Sequence, residues 1–243
     1  MLILGIDFET TGTDPQNHQV IEVGMQLWDW ELGVPINEMG YLVNHENFVW
    51  DEEFKPKSKI TQEMCQRYGI SSKNGLKRIQ MMMASTEVVC AHNGNNFDKL
   101  FLEAWKVREK AEAQPELLWI DTQTDIDLAE GQSRRLLYMA ADHGLCPHKA
   151  HRALADVNTM MEILRHHDIN HVLEVARTPT ITIQALVAYD DREKAKALGY
   201  HAEYESGKFK YWIKTIKQFN LEREREAARP IFELAIVDNY RRK

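Results

Sequence analysis

The sequence lacks the features of a membrane protein and of a disulfide-bonded secreted protein. Its 243 residues include only three cysteines, an odd number at widely spaced positions, so we expect no disulfide framework and a reducing, cytoplasmic setting. No apolar run approaches the ~20 residues that a membrane helix needs. The first residues have the pattern of a strand and lack the basic and long apolar segments of a secretory signal, so we expect none.

Basic residues are fewer than acidic ones, 30 against 37, and the formal net charge is −7. Proteins that bind polyanions draw on Lys and Arg, so this charge at first argues against such a partner. The deficit is uneven, however: residues 1–174 contain 16 Lys+Arg and 27 Asp+Glu, whereas residues 175–243 contain 14 and 10. The carboxy-terminal part is therefore a candidate for holding an anionic partner, although a difference between solvated faces explains the split equally well.

Hydrophobic residues make up 44% of the chain, which is enough for a substantial core. The apolar periodicity predicts three strands first and then alternating helices and strands. We expect strands near 2–8, 19–29, 36–43, 87–91 and 117–121, and helices near 61–68, 75–85, 96–113, 134–143, 152–166 and 168–176. This order predicts an α/β fold with a mixed central sheet flanked by helices, in which the first strands are antiparallel.

Thr178-Pro179 interrupts the last of these helical patterns, so we expect a boundary there. The predicted units are a main domain, residues 1–176, and a small α+β segment, residues 177–243. Within the second unit we expect a strand over 181–189, a short helix over 190–199, a strand over 209–216 and a final helix over 221–237.

Two carboxylates stand where the first strand ends. Asp7 and Glu9 follow the apolar run 2–6 and project from the same face, because side chains alternate along a strand. Two like charges this close repel each other unless a cation lies between them, and hard oxygen ligands on rigid backbone suit Mg²⁺ or Mn²⁺. Two solvated acids at an exposed strand end are the alternative, so the interpretation depends on further carboxylates.

Two later segments supply such carboxylates. The segment 91–98 (AHNGNNFD) follows an apolar stretch and places Asp98 in the first turn of a helix. The segment 151–157 (HRALADV) opens an amphipathic helix that carries Asp156. His151 and Asp156 are separated by about 140° on an ideal helix, so both reach one site only if His151 lies at or before the helix start. Taken singly, each of these residues has an ordinary explanation as a polar helix terminus.

A stretch rich in histidine offers a competing metal site. His143, Cys146, His148 and His151 fall close together, which is a density that zinc sites share. No second cysteine lies two to four residues from Cys146, so the spacing matches no zinc finger or ribbon. We interpret the stretch as a loop between helices, from which only His151 joins a functional site.

Taken together, the three segments resemble the motifs of one family. The order Asp-x-Glu-Thr-Thr-Gly, His-Asn-x-x-x-Phe-Asp and His-x-Ala-Leu-x-Asp is similar to that of the DEDDh, or DnaQ-like, 3′-to-5′ exonucleases. The resemblance covers about residues 1–170 and implies a ribonuclease H-like fold. One departure is that three residues separate Asn93 from Phe97, where the family usually has two.

The resemblance also implies a chemistry. It implies a metal-dependent nuclease that acts from the 3′ end of a nucleic acid and releases nucleoside 5′-monophosphates with two divalent ions, Mg²⁺ or Mn²⁺. The implied metal ligands are Asp7, Glu9, Asp98 and Asp156, and His151 is the implied general base for the attacking water. Asp7 would bridge both ions, and Glu9 would also approach the terminal 3′-hydroxyl.

Further residues are candidates for substrate contact. They come from the motifs and from a stretch near 208–217 that interleaves aromatic side chains, which stack on bases, with lysines, which bind phosphates. These candidates are Thr10, Thr11, Gly12, His92, Asn93, Tyr211 and Trp212. An edge strand whose lysines discourage pairing with another strand explains the 208–217 stretch equally well.

The expected substrate is DNA, preferably single-stranded, and a polymerase or another replication or repair protein is the candidate protein partner. A 3′-to-5′ exoribonuclease or a degrader of short oligonucleotides on the same site is the alternative, since no motif reads the 2′-hydroxyl. A noncatalytic, nucleic-acid-binding replication-accessory protein of the same fold is a further alternative. It would be expected to have lost a metal carboxylate or the histidine, and neither is lost.

Overall fold

The computed structural model describes residues 1–53, 55, 59–129, 132–147, 151–187, 191–205 and 208–237. By their internal contacts, the residues fall into two compact units, Met1–Leu173 and Glu174–Lys243. In the described ranges, no helix combines the length and the apolar character needed to cross a membrane. His148, the predicted strand end at 188–189 and the predicted helix start at 190 lie outside the described residues.

The first unit is built on a six-stranded mixed sheet with the strand order β4-β3-β2-β1-β5-β6. Its strands are β1 (Leu2–Thr10), β2 (Val20–Asp29), β3 (Val34–Asn44), β4 (Ile70–Ser71), β5 (Val88–Ala91) and β6 (Leu118–Asp121). β2 is antiparallel to both β1 and β3, whereas β5 runs parallel to β1 and to β6. The predicted mixed sheet with an antiparallel start is confirmed, and β4 is an addition of two residues that the pattern did not predict.

Helices alternate with the later strands. They are α1 (Gln62–Tyr68), α2 (Ser72–Met83), α3 (Asp98–Arg108), α4 (Leu136–Asp142), α5 (Ala153–Arg165) and α6 (Ile169–Arg177). The predicted α/β class is therefore confirmed. The helix predicted over 96–113 ends early, at Arg108, because Lys110 adopts a left-handed backbone conformation with a φ of 50°, which is typical of helix ends.

β1 has two chemically different faces. Leu4, Ile6 and Phe8 lie on one face and belong to a buried cluster that includes side chains of α2 and α3. Gly5 lies on the other face, where a Cβ atom would come within 2.8 Å of the side chain of Met161 on α5. The alternation of side chains places the carboxylates that follow Gly5 on this second face, toward α5.

The start of α5 lies directly against the backbone of β2. Gly24 is the cross-strand partner of Asp7, and a Cβ atom at Gly24 would be 2.3 Å from backbone atoms of Ala153 and Leu154. Backbone atoms at a helix start cannot swing away as the end of a flexible side chain can, so only glycine allows this approach. The absence of a side chain at Gly24 therefore sets how closely α5 approaches the carboxylate-bearing end of β1.

The second unit is a four-stranded antiparallel sheet with the order β10-β7-β9-β8. Its elements are β7 (Thr180–Leu186), α7 (Arg192–Ala197), β8 (His201–Glu205), β9 (Lys208–Lys217), α8 (Leu221–Ala228) and β10 (Glu233–Ile236). Its separate small core is formed by Ile183, Ala185, Ala195, Tyr200, Trp212, Ala228 and Phe232.

Two elements of the second unit differ from the prediction. The short, polar strand β8 was not predicted, and the helix predicted over 221–237 is wrong beyond Ala228, because residues 233–236 form β10 instead. Arg229 still has helical backbone angles (φ −46°, ψ −41°), but Pro230 has no amide hydrogen to donate to the preceding turn, so the helix does not continue. The chain then pairs with the edge of β7.

The close approach at Gly24 generates a prediction about stability. We expect Gly24→Ala to lower the free energy of unfolding by roughly 2–3 kcal/mol, because the added methyl group overpacks against backbone. Its cross-strand partner on β3, Gly40, provides a matched control: the three atoms nearest to a Cβ there all belong to the Leu154 side chain, the first at 3.2 Å. Gly40→Ala should cost less than about 1 kcal/mol in urea denaturation, since a side chain can shift. Equal losses in the two variants would contradict this explanation.

Candidate active site

A buried hydrogen bond brings Asp98 to the end of β1. Asp98 is the first residue of α3 and is 1% exposed. Its Oδ1 accepts the backbone N–H of Phe8 at 2.9 Å. Because Phe8 lies between Asp7 and Glu9 on β1, this bond places the Asp98 carboxylate beside the strand end that carries both predicted ligands.

Asp156 and His151 come from the start of α5. Asp156 lies in the first turn of α5, and His151 precedes the helix in a left-handed conformation with a φ of 65°. The backbone N–H of His151 donates to Asp156 Oδ2 at 3.0 Å. One potential ligand atom from each of Glu9, His151 and Asp156 lies within 4.8 Å of the other two. The expectation that His151 would lie before the helix start is confirmed.

An ion pair that the sequence did not predict, between the buried Glu22 and the exposed Arg152, holds the start of α5 on β2. Glu22 is 5% exposed and is the cross-strand partner of Glu9. Its carboxylate accepts bonds from Arg152 Nη2 at 2.6 Å and from the Ala153 backbone N–H at 3.1 Å. A negative charge at the first turn of a helix is stabilising. The available signal was an acid within the otherwise apolar run 20–25, because a buried charge needs a partner.

Asp121, at the end of β6, orders the loop that leads into α3. Its two carboxylate oxygens accept the backbone N–H groups of Asn93 at 2.8 Å and Asn95 at 3.1 Å. Asn93 has a left-handed φ of 63°. These bonds accommodate the extra residue before Phe97, and Asp98 still reaches β1. Asp121 was not among the predicted site residues.

The predicted substrate contacts of the first unit are engaged in local hydrogen bonds. Thr10 and Thr11 are buried in the turn after β1, where Thr10 Oγ1 donates to the carbonyl of Gly12 at 2.6 Å and Thr11 Oγ1 accepts a backbone N–H at 3.0 Å. His92 Nδ1 lies 2.9 Å from Thr122 Oγ1. These side chains shape the loops beside the carboxylates.

Tyr211 and Trp212 lie on β9 in the second unit. As consecutive strand residues they face opposite sides of the sheet. Trp212 is 8% exposed and belongs to the small core, whereas Tyr211 is half-buried with the Nζ atom of Lys210 5.3 Å from its ring centre. The two side chains therefore do not form one stacking surface.

Of the competing zinc site, the described residues His143 and Cys146 do not join His151 in a group of potential metal ligands. His143 Nε2 lies 2.9 Å from His167 Nε2, its Nδ1 contacts a backbone carbonyl, and Cys146 is exposed. Among the residues that the structure describes, Glu9, His151 and Asp156 are the group of three potential metal ligands that converge. The described geometry favours the carboxylate site over a zinc site.

The electrostatics of the site fit a bound cation. Burial is the largest cause of a raised pKa at four carboxyl groups, those of Asp7, Glu9, Asp98 and Asp156. The pKa of Glu9 reaches about 7, with the charges of neighbouring carboxylates adding to the effect of burial. The positive charges of Arg152 and Lys59 oppose this increase in the pKa of Glu9. It is unfavourable for all four carboxyl groups to be ionised at once without a counter-ion. Four such carboxylates are a suitable ligand set for divalent metal ions.

Known proteins with similar sequences include DNA polymerases. A PolC-type DNA polymerase III from Thermotoga petrophila is 28% identical over 163 residues, which are 65% of this chain and 11% of that protein. The PolC-type polymerase of Thermotoga maritima is also 28% identical, over 165 residues. The chain thus spans about a tenth of the length of these curated relatives.

Solved structures with a similar fold include E. coli exonuclease I. Its complex with a dA16 oligonucleotide has a TM-score of 0.62 and 15% identity, and the match covers 75% of this chain and 48% of that chain. The zinc-bound form of its complex with single-stranded DNA has a TM-score of 0.67 and 14% identity, and covers 94% and 67%. At these identities the similarity concerns the fold.

The family itself is shown by a match to a family model. Residues 4–164 match RNase_T, described as an exonuclease family. This match spans the three motifs and all four carboxylates discussed above. It covers more than half of the chain, and it agrees with the resemblance inferred from the motifs. This protein therefore belongs to the RNase_T exonuclease family, within the DnaQ-like, ribonuclease H-like group.

Proposed function

We propose that this chain is a metal-dependent 3′-to-5′ exonuclease that degrades DNA, preferably single-stranded, and releases nucleoside 5′-monophosphates. The main support is the convergence of carboxylates and a histidine from β1, α3 and the start of α5 in a member of an exonuclease family. The polymerase relatives and the oligonucleotide complexes of E. coli exonuclease I favour DNA over RNA. A replication or repair polymerase is the protein partner that these relatives suggest.

The proposed metal ligands are Asp7, Glu9, Asp98 and Asp156. Exonucleases of this family use divalent metal ions, and we propose that two ions, Mg²⁺ or Mn²⁺, bind here. Bound ions of this kind offset the negative charge that develops on a phosphate during hydrolysis. The chain holds at least two of the carboxylates in place through backbone N–H groups, those of Phe8 and His151. The ligands are thus oriented by the fold.

His151 is the proposed general base. Its side chain is exposed, it lies beside Glu9 and Asp156, and imidazole groups transfer protons readily near neutral pH. In the proposed step, His151 takes a proton from water while the water oxygen attacks the terminal phosphorus. The bond from phosphorus to the 3′-oxygen of the preceding nucleotide breaks, and that oxygen takes up a proton to become the new 3′-hydroxyl.

Removing one metal carboxylate should nearly abolish hydrolysis while the fold is kept. We expect Asp7→Asn and Asp156→Asn each to retain less than about 1% of wild-type activity on end-labelled single-stranded DNA, because an amide oxygen is a weaker ligand for a hard cation. The control is Glu116→Gln, whose exposed side chain pairs with Lys99, and it should keep full activity. Full activity of either aspartate variant with saturating metal would disprove the assignment.

His151→Asn should separate proton transfer from metal binding. We expect kcat to fall by roughly 10²- to 10⁴-fold, which is the usual contribution of a general base. Binding of Mn²⁺, followed by calorimetry, should remain close to that of the wild type. The matched control is His171→Asn on α6, where the histidine contacts Asp127 rather than the site. An unchanged kcat across neutral pH would exclude His151 as the base.

Metal removal should stop the reaction and lower stability. With Mg²⁺ or Mn²⁺, a time course on end-labelled single-stranded DNA should show mononucleotides released from the 3′ end, more slowly with duplex DNA and matched RNA. Chelator should abolish release and lower the melting temperature, since a bound cation relieves the repulsion among buried carboxylates. Degradation that persists in chelator would exclude the metal mechanism, and long internal fragments would exclude an exonuclease.

A further inference from the structure

A pocket with aromatic and basic walls lies within the second unit, between α7 and the hairpin of β8 and β9. Its volume is about 570 Å³. The side chains that give it its character are Arg192, Lys196, His201, Tyr204, Phe209 and Trp212. Among its described lining residues there is no carboxylate. This composition is the opposite of that of the carboxylate site in the first unit.

A β-bulge places the aromatic side chains on one face. Phe209 and Trp212 are three residues apart and would face opposite sides of a regular strand. The register of the hairpin shifts, however, so that Ala202 pairs with Trp212 and Tyr204 pairs with Phe209. The extra residue in β9 returns Phe209 to the face of Trp212, and Tyr204 lies beside it. Bulges commonly redirect side chains in this way.

The three rings form a partly exposed surface. The ring centres of Tyr204 and Phe209 are 6.1 Å apart, and those of Phe209 and Trp212 are 5.7 Å apart. Tyr204 is 61% exposed and Phe209 is 45% exposed, whereas the buried Trp212 ring supports them. Exposed aromatic faces of this kind stack on nucleic-acid bases with little dependence on sequence.

Basic side chains border the aromatic surface. Arg192 and Lys196 are four residues apart on α7 and therefore lie on the same side of the helix. The Nζ atom of Lys196 is 5.6 Å from the ring centre of Trp212. Both basic residues also contact Glu193, at 3.5 and 2.8 Å. Exposed ion pairs of this type are weak, so a phosphate group can compete for these cations.

We propose that this pocket is a second binding site for single-stranded nucleic acid, in which bases stack on Tyr204 and Phe209 and phosphates contact Arg192 and Lys196. The inference rests on the proposed function, because the bound strand is the polymer that the first unit would degrade. A duplex is a poorer ligand, since its bases already stack on one another. The site excludes Tyr211, which faces the other side of β9.

Binding is measured separately from hydrolysis, in the 243-residue chain carrying Asp7→Asn and in the presence of Mg²⁺. The probe is a fluorescein-labelled oligothymidine of about 20 nucleotides, followed by anisotropy. We expect Tyr204→Ala and Phe209→Ala each to weaken binding roughly tenfold. Tyr204 is the more exposed of the two, so its loss leaves the small core intact. Leu186→Ala, an exposed apolar position on β7, is the matched control and should bind within twofold of the parent.

The contribution of positive charge to binding is measured separately, from the salt dependence of Kd. Lys196→Gln should weaken binding and reduce the slope of log Kd against log salt by about 0.7, the value for one lost phosphate contact on a single strand. Lys194→Gln lies on the same helix outside the pocket, where the lysine pairs with Asp191 at 2.7 Å, and should leave the slope unchanged. Equal slopes for the Lys196 variant and its parent would overturn the phosphate contact.

Catalysis provides the last comparison. In otherwise wild-type protein, Tyr204→Ala should raise KM for long single strands about tenfold. Hydrolysis of the p-nitrophenyl ester of thymidine 5′-monophosphate should be unchanged, because this small substrate engages the carboxylate site alone.

If the Tyr204 and Phe209 variants bind oligothymidine as tightly as the parent, the second site is wrong, even though the wild type degrades DNA. If the wild type hydrolyses neither substrate, the proposed function fails instead. Duplex bound as tightly as single strands, with the same losses in the variants, would overturn base stacking.

Discussion

The contact between the start of α5 and the backbone of β2 is the constraint on which the candidate active site depends. Gly24 leaves no side chain between the two elements. The Glu22 carboxylate accepts hydrogen bonds from the Arg152 guanidinium and from the backbone N–H of Ala153 at the start of the helix. Steric fit and charge therefore act at two cross-strand pairs of β1 and β2, Asp7–Gly24 and Glu9–Glu22, which are two residues apart along each strand. Because Asp156 lies in the first turn of α5, this contact determines its distance from Glu9.

The candidate active site concentrates negative charge where that charge contributes little to the stability of the fold. Burial raises the pKa values of Asp7 and Asp98, and the charges of neighbouring carboxylates add to the increase, which disfavours the ionised forms. The chain nevertheless holds them with backbone N–H groups, as Phe8 does for Asp98 and His151 does for Asp156. Groups that are oriented in this way and are unfavourable without a counter-ion are typical of functional sites rather than of stabilising networks.

Under the proposed function, the different chemistry of the two units reconciles an acidic chain with a polyanionic substrate. The net charge of −7 is the sum of an acidic excess in residues 1–174 and a basic excess in residues 175–243. Metal ions would offset the acidic charge where the phosphate reacts, and the aromatic and basic pocket near Lys196 would engage the rest of the strand. Local charge, rather than the total, governs where a polyanion binds.

Periodicity and local order in the sequence were enough to predict the mixed α/β class, the shared face of Asp7 and Glu9, and the position of His151 before a helix, because these features depend on neighbouring residues. The ion pair of Glu22 with Arg152 spans 130 positions in the chain. The strand β10 exists because β7 offers a free edge, and the bulge in the β8–β9 hairpin follows from the register of two paired strands. Only the tertiary structure decided these features. Burial, strand pairing and hydrogen-bond partners depend on two segments that are distant in the sequence. The residue pattern within one segment carries no information about which other segment it contacts.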